Sequence, residues 1–272
     1  MSFWPSTTDH RARAAGVTAS LTRCCALLLA VLLPAHGRAA ELHVAVAANF
    51  LGTLQALAPM YRQASADVLR LSAGSSGQLY AQIREGAPFD VFLSADAQRP
   101  AALVAQGLAV PGSRFTYAIG TLVLWTPRSA ALAHPLRTLR AEQYRYLAIA
   151  DPGSAPYGTA ARQVLTALHL WDTLNMRRKI VIGESIGQTW QFAASGNVDL
   201  AFVALSQVIG PDGRVPGSTW LPPPTLYAPI DQDAVLLTHA SQPAAARTFL
   251  RWLRSAPAAV ARIHAAGYRS AQ

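Results

Sequence analysis

The sequence predicts an α/β protein with two lobes, each built on a mostly parallel sheet, joined by two crossings of the chain. Three observations carry this expectation. Apolar β-rich runs alternate with segments of helical periodicity along most of the chain, the pattern of parallel sheets covered by helices. Two such sets follow one another, and the chain ends with a further strand and helices that return to the first set. At four strand-to-helix junctions the linking loop is small, neutral and rich in hydrogen-bond donors.

In order along the chain, His43 to Ala47 is the first expected strand, followed by a helix from about Phe50 to Ala64 with Leu54, Leu57, Ala58 and Tyr61 on one face. Val68 to Ser72 is the second strand, and Leu79 to Glu85 a short helix stopped by Gly86 and Pro88. Phe89 to Leu93 is an unbroken apolar run suited to a buried parallel position. Asp96 is placed to cap the next helix, with Pro100 in its first turn. Tyr117 to Trp125 reads as one long strand interrupted at Gly120, as expected of a segment passing between lobes. Strands at Tyr146 to Ala150, Lys179 to Ile182 and Leu200 to Val203 then enclose helices near Thr159 to Leu168 and Gln188 to Ala194. Ala234 to Thr238 is the returning strand, and helices rich in Ala, Arg and Trp252 close the chain. The crossings fall near Ala118 to Gly120 and Pro229 to Asp231. The expected division is a leader over 1–40, lobe I over 41–119 and 229–272, and lobe II over 120–228.

The leader rests on Arg11, Arg13 and Arg23 ahead of the apolar run Cys24 to Leu33, then Pro34 and small residues up to Ala39-Ala40. That run is too short to span a bilayer as a helix. It predicts a signal peptide cleaved near Glu41, export by the general secretory route and a periplasmic location. Both cysteines, Cys24 and Cys25, leave with it, so the remaining 232 residues have no disulfide, thiol nucleophile or cysteine metal site. The net charge of +9 includes four arginines and one aspartate in the leader, leaving +6. The remaining arginines are scattered singly; the one cluster, Arg177-Arg178-Lys179, reads as a helix-to-strand turn, so nucleic acid is not expected as a partner.

Enzyme chemistry finds little support. Gly74-Ser75-Ser76-Gly77 lacks the spacing of a nucleophile elbow and the lysine of a phosphate loop. The histidines His43, His134, His169, His239 and His264 match no metal-ligand spacing. Asp90 and Asp96 are better explained as caps and loop braces than as an acid–base pair. No catalytic residue, metal-ion ligand or cofactor is therefore expected.

The four junctions point elsewhere. They are the loops at Ala47-Ala48-Asn49-Phe50, Ser72 to Gly77, Asp151 to Gly158 and Gly183 to Gly187. A helix start offers free N–H groups and the positive end of its dipole, and Asn, Ser and Tyr add side-chain donors. None of the loop tips carries Lys, Arg or His. Donors without a cation suit a small dianion, and a fully deprotonated one, because a protonated anion would bring a donor that finds no acceptor, at about 1–3 kcal/mol. Sulfate, molybdate and tungstate all meet that condition.

At these residues the chain resembles the periplasmic molybdate-binding proteins of ABC importers, over nearly its whole mature length. The block Gly86-Ala87-Pro88-Phe89-Asp90-Val91-Phe92-Leu93-Ser94-Ala95-Asp96 is highly typical of that family. Ala47-Ala48-Asn49-Phe50, Gly74-Ser75-Ser76-Gly77 and Ala155-Pro156-Tyr157-Gly158 follow in the family's order. The resemblance implies a class II, two-lobed binding-protein fold that holds molybdate or tungstate by neutral donors. It implies ligand contacts from Asn49 (side chain or backbone), Ser76 (hydroxyl and N–H), Tyr157 (N–H or phenol) and the backbone N–H of Ile186, with Ala48 and Ser75 alongside. The oxyanion would be held through its oxygens, with no direct ligand to the metal. Many relatives have Ser in place of Asn49, and one branch has Tyr in place of Ala204; this chain resembles the branch with Asn in the first loop. The implied partners are an inner-membrane permease and its cytoplasmic ATPase, with the protein itself a monomer. The rival expectations are a sulfate or phosphate receptor of the same fold, and a secreted hydrolase using Ser75 or Ser76 with His43 or Asp96.

Overall fold

The computed structural model describes residues 1–3 and 39–270, and Ala39–Gln272 forms one compact unit. The leader expected over 1–40 lies outside the described residues except at its ends. Among the described residues no helix is long and apolar enough to cross a membrane.

The first set of elements is β1 (Glu41–Ala47), α1 (Leu51–Ser65), β2 (Val68–Gly74), α2 (Ser76–Arg84), β3 (Val91–Leu93), α3 (Gln98–Ala105) and β4 (Phe115–Gly120). The second is β5 (Leu122–Thr126), α4 (Pro135–Ala141), β6 (Leu147–Ala150), α5 (Pro156–Ala167), α6 (Trp171–Met176), β7 (Ile180–Gly183), α7 (Ile186–Ala194), β8 (Leu200–Ala204), α8 (Leu205–Val208) and β9 (Ser218–Trp220). The chain then returns through β10 (Ile230–Leu236), α9 (Pro243–Ser255) and α10 (Pro257–Ala265).

Two five-stranded sheets result, in the orders β2-β1-β3-β10-β4 and β7-β6-β8-β5-β9. In each sheet three strands are parallel, and the other two join antiparallel. The parallel character expected of most strands lies in the part of each sheet made by strand–helix–strand crossovers, three strands of five. The antiparallel strands β4, β5, β9 and β10 carry the chain from one sheet to the other and back.

Both faces of each sheet are covered. Val44, Val46, Leu54, Leu57, Tyr61, Phe249 and Leu253 pack on one face of the first sheet, and Ala45, Leu79, Ile83, Phe92, Leu103 and Val235 on the other. Each fully buried Leu, Val or Phe contributes about 1.5–3 kcal/mol to folding. The second sheet is enclosed in the same way by α5 on one side and α7 on the other. Ala47, Ala95 and Ile230, all from elements of the first sheet, join the core cluster of the second. The two sheets therefore meet through apolar contact beside the carboxyl ends of their parallel strands.

Register explains why the loops converge. Ala47 of β1 pairs with Gly74 of β2, and Val46 with Leu93 of β3, so three strands end at one edge. In the second sheet Ala150 of β6 pairs with Gly183 of β7. Ligands of α/β sheets bind outside such carboxyl ends.

Candidate functional site

A small cavity of about 10 Å³ lies where the two sets of strand ends face one another. It is lined by Ala47, Ala48, Asn49, Gly74, Ser75, Ser76, Ala95, Ala155, Pro156, Tyr157 and Ile186. All six residues expected at the site, Ala48, Asn49, Ser75, Ser76, Tyr157 and Ile186, are brought together there. The lining holds no Asp, Glu, His, Lys or Arg. Among the described residues no group of three or more His, Cys, Asp or Glu could hold a metal ion.

Each loop is placed by ordinary local chemistry. Ser75 caps α2 in a reciprocal box: its hydroxyl accepts from Gln78 N–H at 3.3 Å, and Gln78 Oε1 accepts from Ser75 N–H at 3.2 Å. Ser185 caps α7 by accepting from Gln188 N–H. In α5, Pro156 occupies the first turn, where its missing N–H is no loss. A methyl at Gly158 would run into the backbone carbonyl of Ala150, so glycine lets α5 sit directly on the end of β6.

The donors available to the cavity follow from position. Ser76, Tyr157 and Ile186 stand in the first turns of α2, α5 and α7, where N–H groups have no acceptor within the helix. The N–H of Asn49, in the turn before α1, has no partner among the described residues. Ser76 Oγ accepts from Ala95 N–H at 2.9 Å, which leaves its own proton to donate. Ala48, by contrast, donates its N–H to Gly74 O at 3.0 Å and supplies only a wall. Ser75 has its N–H and one hydroxyl lone pair taken by the cap, and its hydroxyl proton, like that of Ser76, is left to donate.

Asn49 is the residue whose role is most altered by its surroundings. Both side-chain hydrogens are taken: Nδ2 donates to Gln232 Oε1 at 2.9 Å and to Tyr268 OH at 3.0 Å. Its Oδ1 is a buried side-chain atom with no partner among the described residues. The side chain thus offers no free N–H, and the backbone is what Asn49 presents as a donor. Tyr157 accepts at its hydroxyl from Gln232 Nε2 at 3.1 Å, and burial pushes the phenol pKa well above its ordinary value. It is a neutral donor across the physiological range.

Several residues that support the site gave no signal in the sequence. Gln207 donates to Ile186 O at 3.0 Å and accepts from Ala204 N–H, tying the start of α7 to the end of β8. Ser206 donates to Asn49 O at 3.0 Å, and Gly77 N–H donates to Ser154 O at 2.8 Å; both bonds run between elements of the two sheets. Gln232, wholly buried on β10, touches Asn49, Tyr117 and Tyr157.

The hydrolase alternative has no geometry behind it. His43 lies near the amino end of β1, four residues and about 13 Å from the cavity end, beside Glu41. Asp96 binds Arg99 through its N–H and its guanidinium. Asp90 accepts from His43, Ser241 and Gln242 N–H groups and braces the start of α9.

Comparison with known proteins agrees with this architecture. The model of the family described as bacterial extracellular solute-binding protein matches residues 42–269. The molybdate-binding protein of Rhodobacter capsulatus is 46% identical over 89% of this chain and 93% of its own length. That of Azotobacter vinelandii is 43% identical over 92% of this chain and 98% of its own. A solved structure of the A. vinelandii periplasmic molybdate-binding protein superimposes with a TM-score of 0.84, at 46% identity, over 85% of this chain and all of the other. The sulfate-binding protein SubI of Mycobacterium tuberculosis, 15% identical with a TM-score of 0.69 over 86% of this chain and 88% of its own, shares the fold. The relatives are solute-binding proteins and not enzymes, which sets the hydrolase reading aside. By the reach of the family model and of these two relatives, the chain belongs to the bacterial extracellular solute-binding proteins.

Proposed function

We propose that this protein captures molybdate, and with it tungstate, in the cavity between its two sheets and delivers it to an ABC importer. The observation that carries the reading is a cavity lined by free helix-start N–H groups and the hydroxyl residues Ser75, Ser76 and Tyr157, with no charged side chain. Such a shell matches a fully deprotonated tetrahedral dianion. Its N–H groups are fixed by the backbone, so little ordering remains to be done when the anion arrives. The contacts are the backbone N–H groups of Asn49, Ser76, Tyr157 and Ile186 and the hydroxyls of Ser76 and Tyr157, with the Ser75 hydroxyl alongside and Ala48 as a wall. The anion is cargo, and no cofactor takes part.

The two sheets act as lobes, 41–119 with 229–272 and 120–228, that hinge where β4 passes into β5 at Thr121 and where the chain returns into β10. The Gly77–Ser154 and Ser206–Asn49 bonds then belong to the closed form, and opening them admits the ligand. The protein works as a monomer in the periplasm, and its closed form is what an inner-membrane permease, driven by a cytoplasmic ATPase, receives.

Calorimetric titration of residues 41–272 with molybdate, tungstate, sulfate and phosphate tests the reading. One-to-one binding of molybdate and tungstate, with sulfate and phosphate silent or far weaker, is the expected result. Preference for sulfate or phosphate would make the protein a receptor for the smaller anions, and silence with all four would end the oxyanion reading.

A further inference from the structure

A hydroxyl can serve an anion only if its single proton points at it, and Tyr157 shares its oxygen with a neighbour. The direction of that proton can be followed through four side chains. Asn49 O is a backbone carbonyl and only accepts; Tyr268 OH lies 2.8 Å from it and 2.9 Å from Ser206 Oγ, which itself donates to that carbonyl, and the one proton of Tyr268 goes to this pair of acceptors. Tyr268 therefore presents a lone pair to the Asn49 side chain, which fixes Nδ2 as the atom facing it, at 3.0 Å. The second hydrogen of Nδ2 then requires an oxygen, and Gln232 supplies Oε1 at 2.9 Å. Tyr117 OH, 3.0 Å from the same oxygen, is compatible with that orientation. Gln232 must consequently turn Nε2 to Tyr157 OH, where it donates at 3.1 Å. Tyr157 accepts from Gln232, and its own proton has no acceptor among the described residues.

We propose that Gln232 is a positioning residue that turns the hydroxyl proton of Tyr157 toward the bound oxyanion. The inference rests on the oxyanion reading above and adds to it a residue outside the cavity lining. The surroundings are shaped for this contact. Gly120, the last residue of β4, lies against both groups: a methyl there would meet the Tyr157 hydroxyl and would stand 2.6 Å from Gln232 Nε2. Gln232 belongs to the first sheet and Tyr157 to α5 on the second, so the orientation is imposed only when the two are together. With the amide reversed, Oε1 would draw the phenol proton to itself, and Tyr157 would offer a lone pair to a dianion.

The test is a double-mutant cycle on molybdate affinity with Gln232→Glu and Tyr157→Phe, alone and combined. Glutamate keeps the shape and still accepts from Asn49, but it takes the phenol proton. Gln232→Glu is expected to weaken binding about tenfold or more with Tyr157 present, the scale of one hydrogen bond to a charged group. In the Tyr157→Phe background the same change should cost clearly less, the remainder being the effect of the added charge. The tyrosine ultraviolet difference band produced by molybdate should be present in the unaltered protein, absent in Tyr157→Phe and diminished in Gln232→Glu. Additive losses, or a full band in Gln232→Glu, would overturn the proposal. If Gln232→Glu does not fold, Gln232→Met, which frees the phenol proton without fixing it, closes the same cycle. Its expected loss is smaller, and additivity would overturn the proposal there as well. If the unaltered protein prefers another oxyanion, the cycle is run with that ion. If it binds none, this inference falls with the oxyanion reading; if it binds and the cycle is additive, only this inference falls.

Discussion

Two concavities of this molecule could attract an anion, and they are built on opposite principles. One, of about 280 Å³, lies against α9 and is flanked by Arg247, Arg251 and Arg254 together with Phe115, Leu236 and Leu250. The other, of about 10 Å³, has no charged side chain in its lining. The first is open, its arginines are exposed, and none of the three has a carboxylate partner among the described residues. Exposed guanidinium groups attract any anion, keep their hydration and are screened by salt over about 8 Å at physiological ionic strength. Fixed N–H dipoles do the reverse. They are weak at a distance, but they are desolvated in advance and count the lone pairs of what enters. The difference between the two regions is that between attraction and recognition.

The largest effect is expected where that distinction is violated outright. Ser76→Asp places a carboxylate among the dipoles, and repulsion between like charges in a closed site costs several kcal/mol. Molybdate affinity measured by calorimetry should fall by roughly a thousandfold or more. An aspartate variant that still bound the dianion tightly would show that the cavity is not the site. Next comes the removal of a single backbone dipole. Ile186→Pro deletes one N–H at the first position of α7, where proline is tolerated, and Ser185 before it is already extended (φ −142°, ψ 165°). The expected loss is about 10- to 100-fold in affinity, accompanied by a loss of thermal stability because the buried Ile186 side chain is truncated as well.

How far this arrangement can be read from the sequence depends on where the information lies. The four strand-to-helix junctions are legible because alternation of period and small-residue punctuation are local. The helix starts are less so: the pattern opens helices at Leu79, Thr159 and Gln188, whereas they begin at Ser76, Pro156 and Ile186. Ser, Pro and Gly read as loop, yet in first turns they are at home, and most of the donors proposed for the anion are in those first turns. The pattern likewise starts β10 at Ala234, and the strand begins at Ile230. Its polar opening, Asp231-Gln232-Asp233, looks like a loop, but Gln232 and Asp233 are buried and their partners lie 75 to 183 residues away. No local pattern contains such partners. For the same reason the resemblance puts Asn49 at the site but leaves open which of its groups donates. The bond to Gln232 that occupies the side chain is visible only in the fold.

A moderate effect separates the hydroxyl from the backbone donors and fixes its pH range. Tyr157→Phe should weaken molybdate about tenfold, one charge-assisted hydrogen bond. In the unaltered protein the phenol, raised by burial, keeps its proton, and binding would be lost only as pH rises through that elevated value. Affinity should therefore be level from neutral pH to about pH 10, the ordinary tyrosine value. A decline beginning well below that value in the unaltered protein and missing from Tyr157→Phe would mean that the phenol is not held in a buried, neutral form.

The smallest effect is expected at the arginines, and its smallness is informative. Replacing Arg247, Arg251 and Arg254 together by Gln removes the positive charges that flank the open concavity on α9. If attraction by charge governed binding, this would be the most damaging change in the molecule. If recognition resides in the dipoles, the equilibrium constant should stay within about twofold at physiological salt, because screened surface charge acts on encounter more than on the bound state. Stopped-flow association at low and high ionic strength would locate what remains: a modest slowing at low salt that vanishes at high salt, with dissociation unchanged. A loss in affinity that persists at high salt would make the α9 concavity part of the anion's path or its site, and the contrast between the two regions would have to be redrawn.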